Sequence, residues 1–221
     1  MITKLYKKIR SILRPLRITF QSILRNAFYR IKRFFYPPKL PKNPDGKVLI
    51  HLGCGNQNDE RYINVDGMPF PHVHYVSPVE KLPMFSKNYA DLVYACHVLE
   101  HISHAELINV LKEWRRVLKD GGVLRLSVPD FNKLVDVYNQ ENKNAKIILP
   151  PLMGAQEGGK YDFHKTIFNK EFLSNLLKEA GFKEVREWDP ENTEYYSFSD
   201  WAGSRKIYNK YQISPNLEGI K

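Results

Sequence analysis

The sequence predicts an α/β fold on a mostly parallel sheet, and three observations carry that expectation. Residues 48–55 read VLIHLGCG, a hydrophobic run that turns sharply at Gly-x-Gly. Asn64-Val65-Asp66 follow shortly after, as a short strand ending on a carboxylate. Beyond them, β-rich runs alternate with stretches of helical periodicity, the succession an α/β sheet requires. Glycines after a buried strand let backbone amides approach a ligand closely, and an acid at the next strand end can accept hydrogen bonds from a ribose diol. The expected ligand is nucleoside-like and lies at the carboxyl edge of the sheet.

The chain of 221 residues suits one domain plus an appendage. Twelve of its 34 Lys/Arg fall in residues 1–44, which hold no Asp or Glu, leaving 22 against 24 acidic residues in the remainder. The net +10 is therefore +12 from the arm and −2 from the body. In residues 1–36, Ile2, Leu5, Tyr6, Ile9, Ile12, Leu13 and Leu16 recur at helical spacing. The pattern resumes through Phe20, Ile23, Leu24, Ala27, Phe28, Ile31, Phe34 and Phe35, with Pro15 dividing two helices. Lys4, Lys7, Lys8, Arg14, Arg17, Arg25, Arg30 and Lys32 occupy other faces. An apolar stripe flanked only by cations is the pattern of a helix lying on an anionic membrane, where each cation contributes about 1 kcal/mol. A helical pair docked on the body or on a second subunit is the competing expectation. Nucleic acid is not expected as a partner, because no basic stripe continues into the body. Residues 37–46, rich in proline, form a stiff linker, and the folded domain occupies 47–221.

In the body, Val48–Leu52 is the first strand, His72–Val76 and Asp91–Ala95 are later ones, and a turn at Ser86-Lys87-Asn88 precedes the latter. Ser103 and Glu106 have the spacing of a capping box, opening a helix with Leu107, Leu111, Trp114 and Leu118 inward. Gly121-Gly122 is expected to stop it. Val123–Val128 is a strand ended by Pro129. Asn169 caps a helix with Phe172, Leu173, Leu176 and Leu177 inward and Gly181 at its close. Phe182–Trp188 and Leu217–Ile220 supply the last strands. Only Asn56–Arg61 separate Gly55 from Tyr62, too few for a parallel crossover of about a dozen residues, so the first helix is reduced to a turn.

Several classes are excluded. A dinucleotide loop wants a third glycine where Asn58 stands and a more distant acid, and no Gly-Lys-Ser/Thr follows for a phosphate loop. Cys54 and Cys96 are expected as free thiols in a reducing compartment. No stretch approaches the roughly 18 apolar residues of a membrane span, and Lys and Arg interrupt any signal-peptide core. A cytoplasmic protein, peripheral at the inner membrane face through residues 1–36, is the expectation.

The segments VLIHLGCG, YINVDG, VEKLP, DLVYACHVLEHI, LKEWRRVLKDGGVLRLSVPDF and FHKTIFNKEFLSNLLKEAGF, in this order, resemble the class I S-adenosylmethionine-dependent methyltransferases. The likeness is to small bacterial members found among glycan-modifying enzymes. The resemblance implies a Rossmann-like, seven-stranded sheet with its last strand antiparallel, and S-adenosylmethionine across the ends of strands one to four. Carried over by position, Leu52, Gly53, Cys54 and Gly55 would wrap the methionine and ribose. Asp66, with Gly67 beside it, would bind the ribose hydroxyls. Glu80, Lys81 and Leu82 would lie beside adenine, and Cys96 and His97 would line the methyl-donor end. The family often has an acid where this chain has His51, so one contact near the sulfonium is in question.

Methyl transfer to oxygen calls for a base near neutral pKa, which makes histidine the natural candidate. His97, Asp130 and His164 are the expected catalytic residues, with His101 more simply a helix-start histidine. Tyr161 and Lys165 are placed to bind acceptor hydroxyls or an anionic group, and Leu152–Lys160, with Gly154, Gly158 and Gly159, to act as a lid. His97-Val98-Leu99-Glu100-His101 also spells a zinc-peptidase pattern, but its first histidine ends a strand and no metal is expected. A cation held by His97, Glu100, His101 and His164 is the alternative. The expected function is methylation of a sugar hydroxyl in a glycan or glycolipid at the membrane. An RNA or protein methyltransferase, and a non-catalytic partner protein, are the competing readings.

Overall fold

The structure, a computed structural model, describes residues 24, 26–33, 35–156 and 161–221. Seven strands form one sheet: β1 (Leu49–Leu52), β2 (Tyr62–Asp66), β3 (Tyr75–Val76), β4 (Ala90–Cys96), β5 (Leu118–Ser127), β6 (Glu184–Glu187) and β7 (Asn216–Ile220). Their order is β3-β2-β1-β4-β5-β7-β6, with β7 antiparallel to both neighbours and the other pairs parallel. Among the described residues that follow β1, the α-helices are α1 (Leu107–Val117), α2 (Phe131–Gln140), α3 (Ala145–Met153) and α4 (Lys170–Glu179). This is the Rossmann-like, mostly parallel sheet that the sequence predicts.

The pleat sorts the strand residues into two layers, because successive side chains point to opposite faces. Ile50, Leu52, Ile63, Val65, Val93, Ala95, Leu124 and Leu126 face the main core, against α1 and α4. Leu49, Tyr62, Leu92 and Tyr94 face the other way, onto Trp188, Phe198 and Ala202. On α1, Leu107, Val110, Leu111, Trp114 and Val117 are buried at helical spacing. On α4, Asn169 accepts a hydrogen bond from Phe172 N at 2.8 Å, and Leu173, Leu176 and Leu177 are buried.

Some expectations are corrected. Ser103 makes no side-chain cap; residues 104–106 form a separate short turn, and α1 starts only at Leu107. Leu118 begins β5, which runs through Gly121-Gly122, so these glycines do not stop the helix. Neither α2 nor α3 was foreseen, the second because Pro150 and Pro151 lie inside it.

No helix lies between β1 and β2, as the short spacing requires. The segment from Trp188 to Ala202 takes its place on that face of the sheet. Tyr62 Oη donates to Tyr195 O at 2.5 Å, and Gln57 Nε2 to Ser199 O at 3.1 Å. Tyr94 Oη reaches Asp200 at 2.6 Å. His51 sits within this layer, its ring 4.5 Å from that of Phe198 and 5.1 Å from that of Tyr94. It is 2 % exposed and does not line the cleft.

The described residues between 24 and 35 are helical. Arg33 donates to Phe70 O at 2.6 Å and Val73 O at 2.7 Å, and Asn26 and Tyr29 border the same groove against the body. Leu24, Phe28, Ile31 and Phe35, on the opposite face at 100° per residue, are 54–68 % exposed. The apolar stripe expected over residues 1–23 lies outside the described residues. Among the described residues no helix is long and apolar enough to cross a membrane.

Candidate active site

The cleft forms where the parallel strands end, at the place the α/β topology assigns to ligands. Gly53 and Gly55 follow β1 with φ of +61° and +53°, in the left-handed region that favours glycine. A Cβ on Gly53 would stand 2.4 Å from a methyl of Val98, so this position accepts no side chain. A Cβ on Gly55 would meet open space, which leaves its backbone free to face a ligand. Asp66, at the end of β2, accepts from Gly55 N at 2.8 Å and Met68 N at 2.7 Å. One carboxylate thus ties together the loops after β1 and β2. Burial raises its pKa, and the two amide hydrogen bonds oppose that rise.

A cleft of about 390 Å³ opens above these groups, within the size range of small-molecule sites. Gly53, Gly55 and Asp66 line one part of it, and Phe70, Pro78, Val79, Val98 and Ile102 give an apolar part. His97, His101, Tyr161 and Lys165 supply polar groups. The Tyr161 ring lies over Gly67, where a Cβ would be 2.5 Å from it. The loop after β3 is gripped by α1: Trp114 Nε1 donates to Val79 O at 2.8 Å, and Leu82 N donates to Glu113 at 2.8 Å.

The structure gathers part of the expected set. Gly53, Gly55, Asp66, Gly67, Glu80 and His97 line the cleft, as do Tyr161 and Lys165. Leu52 and Leu82 are fully buried in the main core and do not. Lys81 is exposed and lies outside the lining. Cys54 turns its sulfur toward His72 Nε2 at 3.7 Å, and burial raises its pKa well above the ordinary thiol value. Cys96 packs with the second layer, on the Tyr94 side of the sheet. Both cysteines are free. Asp130 is the N-cap of α2, accepting from Asn132 N at 2.9 Å, is 4 % exposed and lies outside the cleft lining. Met68, Phe70, Pro78, Val79, Val98 and Ile102 were not foreseen. The signal was the apolar character of Met68-Pro69-Phe70 immediately past a strand-end acid.

His97 follows β4 with φ of +53°, its Nε2 2.8 Å from Ser214 Oγ and its ring stacked 5.6 Å from that of Trp201. Burial lowers its pKa to about 3, helped by His164 and His101. Its Nδ1 is 3.5 Å from Glu100 Oε1, and His164 Nε2 is 4.0 Å from the same atom. Glu100 is 1 % exposed, and burial pushes its pKa up to about 8. His164 does not line the cleft but packs edge-on against His101, ring centroids 4.8 Å apart; burial lowers it to about 4. Of the expected lid, Leu152 and Met153 end α3 and residues 157–160 lie outside the described part. Gly154 is closely packed, since a Cβ there would fall 1.7 Å from Asp162 O.

A donor with a ribose and a base but no phosphate fits these groups. The glycine turn leaves room for its backbone, two carboxylate lone-pair directions beyond those used by the amides suit a diol, and the apolar wall suits a ring. The family described as methyltransferase domain matches residues 23–187. No curated protein matches the chain. Among solved structures, a possible histamine N-methyltransferase from Thermotoga maritima is 17% identical, with 94% of this chain and 97% of that one covered and a TM-score of 0.49. A SAM-dependent methyltransferase from Archaeoglobus fulgidus is 18% identical, with 89% and 94% covered and a TM-score of 0.49. The 1,6-didemethyltoxoflavin-N1-methyltransferase of Burkholderia thailandensis is 14% identical, with 96% and 89% covered and a TM-score of 0.48. At these identities and scores the solved structures add nothing to the assignment. The family match over most of the chain decides it: the chain belongs to the methyltransferase domain family and is a methyltransferase that uses S-adenosylmethionine.

Proposed function

We propose that the protein methylates a hydroxyl of a small polar acceptor, a sugar unit of a glycan or glycolipid, at an anionic membrane surface. The observation that carries this reading is the two-sided arm helix. Arg33 fastens one face to the loop at 70–73, whose Phe70 lines the cleft. Leu24, Phe28, Ile31 and Phe35 turn the other face to solvent, with Arg30 and Lys32 exposed beside them. An apolar stripe flanked by cations suits a bilayer interface better than water. A donor cleft fixed next to such a helix is well placed to meet lipid-linked acceptors.

When bound, S-adenosylmethionine supplies a methyl group on a sulfonium sulfur, which keeps the bonding electron pair when the methyl leaves. The chain positions the acceptor and removes its proton. Tyr161 and Lys165 at the polar end of the cleft suit sugar hydroxyls, and we assign the proton to His97, a neutral imidazole lining the same end, although burial holds its pKa far below the near-neutral value best suited to a base. Placing that end inside a partly enclosed cleft also limits competition from water.

Sedimentation of the full chain with phosphatidylserine vesicles tests the membrane reading. Pelleting should be lost in the Phe28→Glu/Ile31→Glu pair while donor binding is kept; equal pelleting of the two proteins overturns it. Transfer of labelled methyl to glycan acceptors tests the substrate class. The His97→Asn variant should turn over at least about a hundredfold slower with donor affinity intact, and an unchanged rate removes His97 from the proton-transfer role.

A further inference from the structure

Glu100, His101 and His164 converge beside the polar end of the cleft, and nothing in the methyl transfer described above uses them. Glu100 is almost wholly buried, and neither carboxylate oxygen has a hydrogen-bond partner. Buried polar groups in native proteins are nearly always satisfied, so this carboxylate points to a missing counterpart.

The two histidines are prepared for one. His101 Nδ1 stands 3.0 Å from Phe163 O, and His164 Nδ1 3.0 Å from Pro151 O. A carbonyl only accepts, so each Nδ1 carries its hydrogen and each neutral ring presents a bare lone pair on Nε2. An imidazole anchored through its other nitrogen to a carbonyl is the usual support of a metal-ligating histidine. One ligand atom from each of the three residues lies within 4.8 Å of the others. The loop bearing His164 is also tied to the turn bearing the other two. Lys165 N and Thr166 N donate to Glu100 O at 2.7 and 3.2 Å, and Thr166 Oγ1 to Ile102 O at 2.8 Å.

We propose that Glu100, His101 and His164 form a site for a divalent transition-metal ion with open coordination positions. Two imidazoles and one carboxylate favour zinc, iron or cobalt over magnesium or calcium, which prefer all-oxygen sets. Ligand bonds of about 2.0–2.2 Å place ligand atoms roughly 3.5 Å apart, so the three side chains close by about an ångström on binding. His101 lines the cleft, which sets the ion beside the acceptor. There it would ligate an acceptor oxygen and favour loss of its proton to His97. That part in the reaction rests on the proposed hydroxyl acceptor; binding of the ion does not.

The test is a titration of the full chain, stripped with chelator, with Co²⁺ alone, read by calorimetry and by visible ligand-field absorption. One equivalent should bind, with affinity reduced at least about tenfold in His164→Ala and in His101→Ala. The second variant changes a half-exposed ring, so it leaves the buried packing in place should the first fail to fold. Absence of stoichiometric uptake, or uptake equal in wild type and both variants, overturns the site. Methyl transfer to glycan hydroxyls is measured separately, so failure of the acceptor reading leaves the cobalt result standing, and the reverse.

Discussion

Asp66 shows how one side chain builds the cleft and still keeps acceptor capacity toward it. Its two oxygens hold the amides of Gly55 and Met68, fixing the loops on either side, and its remaining lone pairs are free to meet a ribose. Asp66→Ala is expected to weaken donor binding by about 1–3 kcal/mol, through lost charged hydrogen bonds. Asp66→Asn, which keeps one acceptor oxygen, should lose less. Calorimetry with S-adenosylhomocysteine measures both, and wild-type affinity in the alanine variant would remove the ribose role. The places of Gly53, Gly55 and Asp66 in the cleft lining were legible in the sequence because they depend on backbone freedom and on a strand end. Leu52, Cys54, Leu82 and Cys96 were not, because chain neighbours of a site residue point to other faces, and adjacency alone does not say which. The cap at Asp130 was hidden for a different reason: a carboxylate after a strand serves equally as a base or as a helix cap, and the helix it caps was not visible.

At the scale of elements, α1 shapes the apolar wall of the cleft without lining it. Trp114, fully buried, donates to Val79 O, while Arg116 donates to Leu82 O at 3.1 Å and Phe85 O at 3.0 Å. Trp114→Phe keeps most of the ring but leaves the buried Val79 carbonyl unpaired, at a cost of about 1–3 kcal/mol. Thermal unfolding should register that loss together with weaker donor binding; unchanged affinity would show that the loop holds its shape without the indole. On the far side of the sheet, Arg125 Nε and Nη2 donate to Glu218 Oε1 at 2.9 and 2.8 Å, joining β5 to β7. Both side chains are nearly buried, so Glu218→Ala strands a cation and should destabilise by roughly 3–5 kcal/mol in denaturant titrations. The strands were readable from their β-rich runs and α4 from its asparagine cap. By contrast, α3 spells AKIILPPLM, where two prolines mask a helix that buries none of its residues fully and so shows no clear inward stripe.

Across the whole molecule, the missing first crossover helix explains how the second layer is built. The segment from Trp188 to Ala202 folds back over β1, β2 and β4 as an aromatic layer; the short spacing announced the vacancy but not the occupant, since loop aromatics carry no periodicity. His51 lies inside this layer against Tyr62, Tyr94 and Phe198, and its Nδ1 is buried with no hydrogen-bond partner. Burial holds its pKa at about 3, with a smaller push from His72 and a smaller opposing pull from Asp59. The folded protein therefore refuses a proton that the unfolded chain takes up below about 6.5. Stability from this group is complete above that value and is lost progressively as pH falls toward 3. Between pH 7 and pH 5 the loss comes to about 2 kcal/mol. His51→Phe keeps an aromatic ring in an aromatic setting and removes both the proton site and the unpaired nitrogen. Its unfolding midpoint should exceed that of the wild type at pH 5 by more than it does at pH 7. Parallel pH profiles for the two proteins would show instead that the layer opens enough on acidification to hydrate the imidazole.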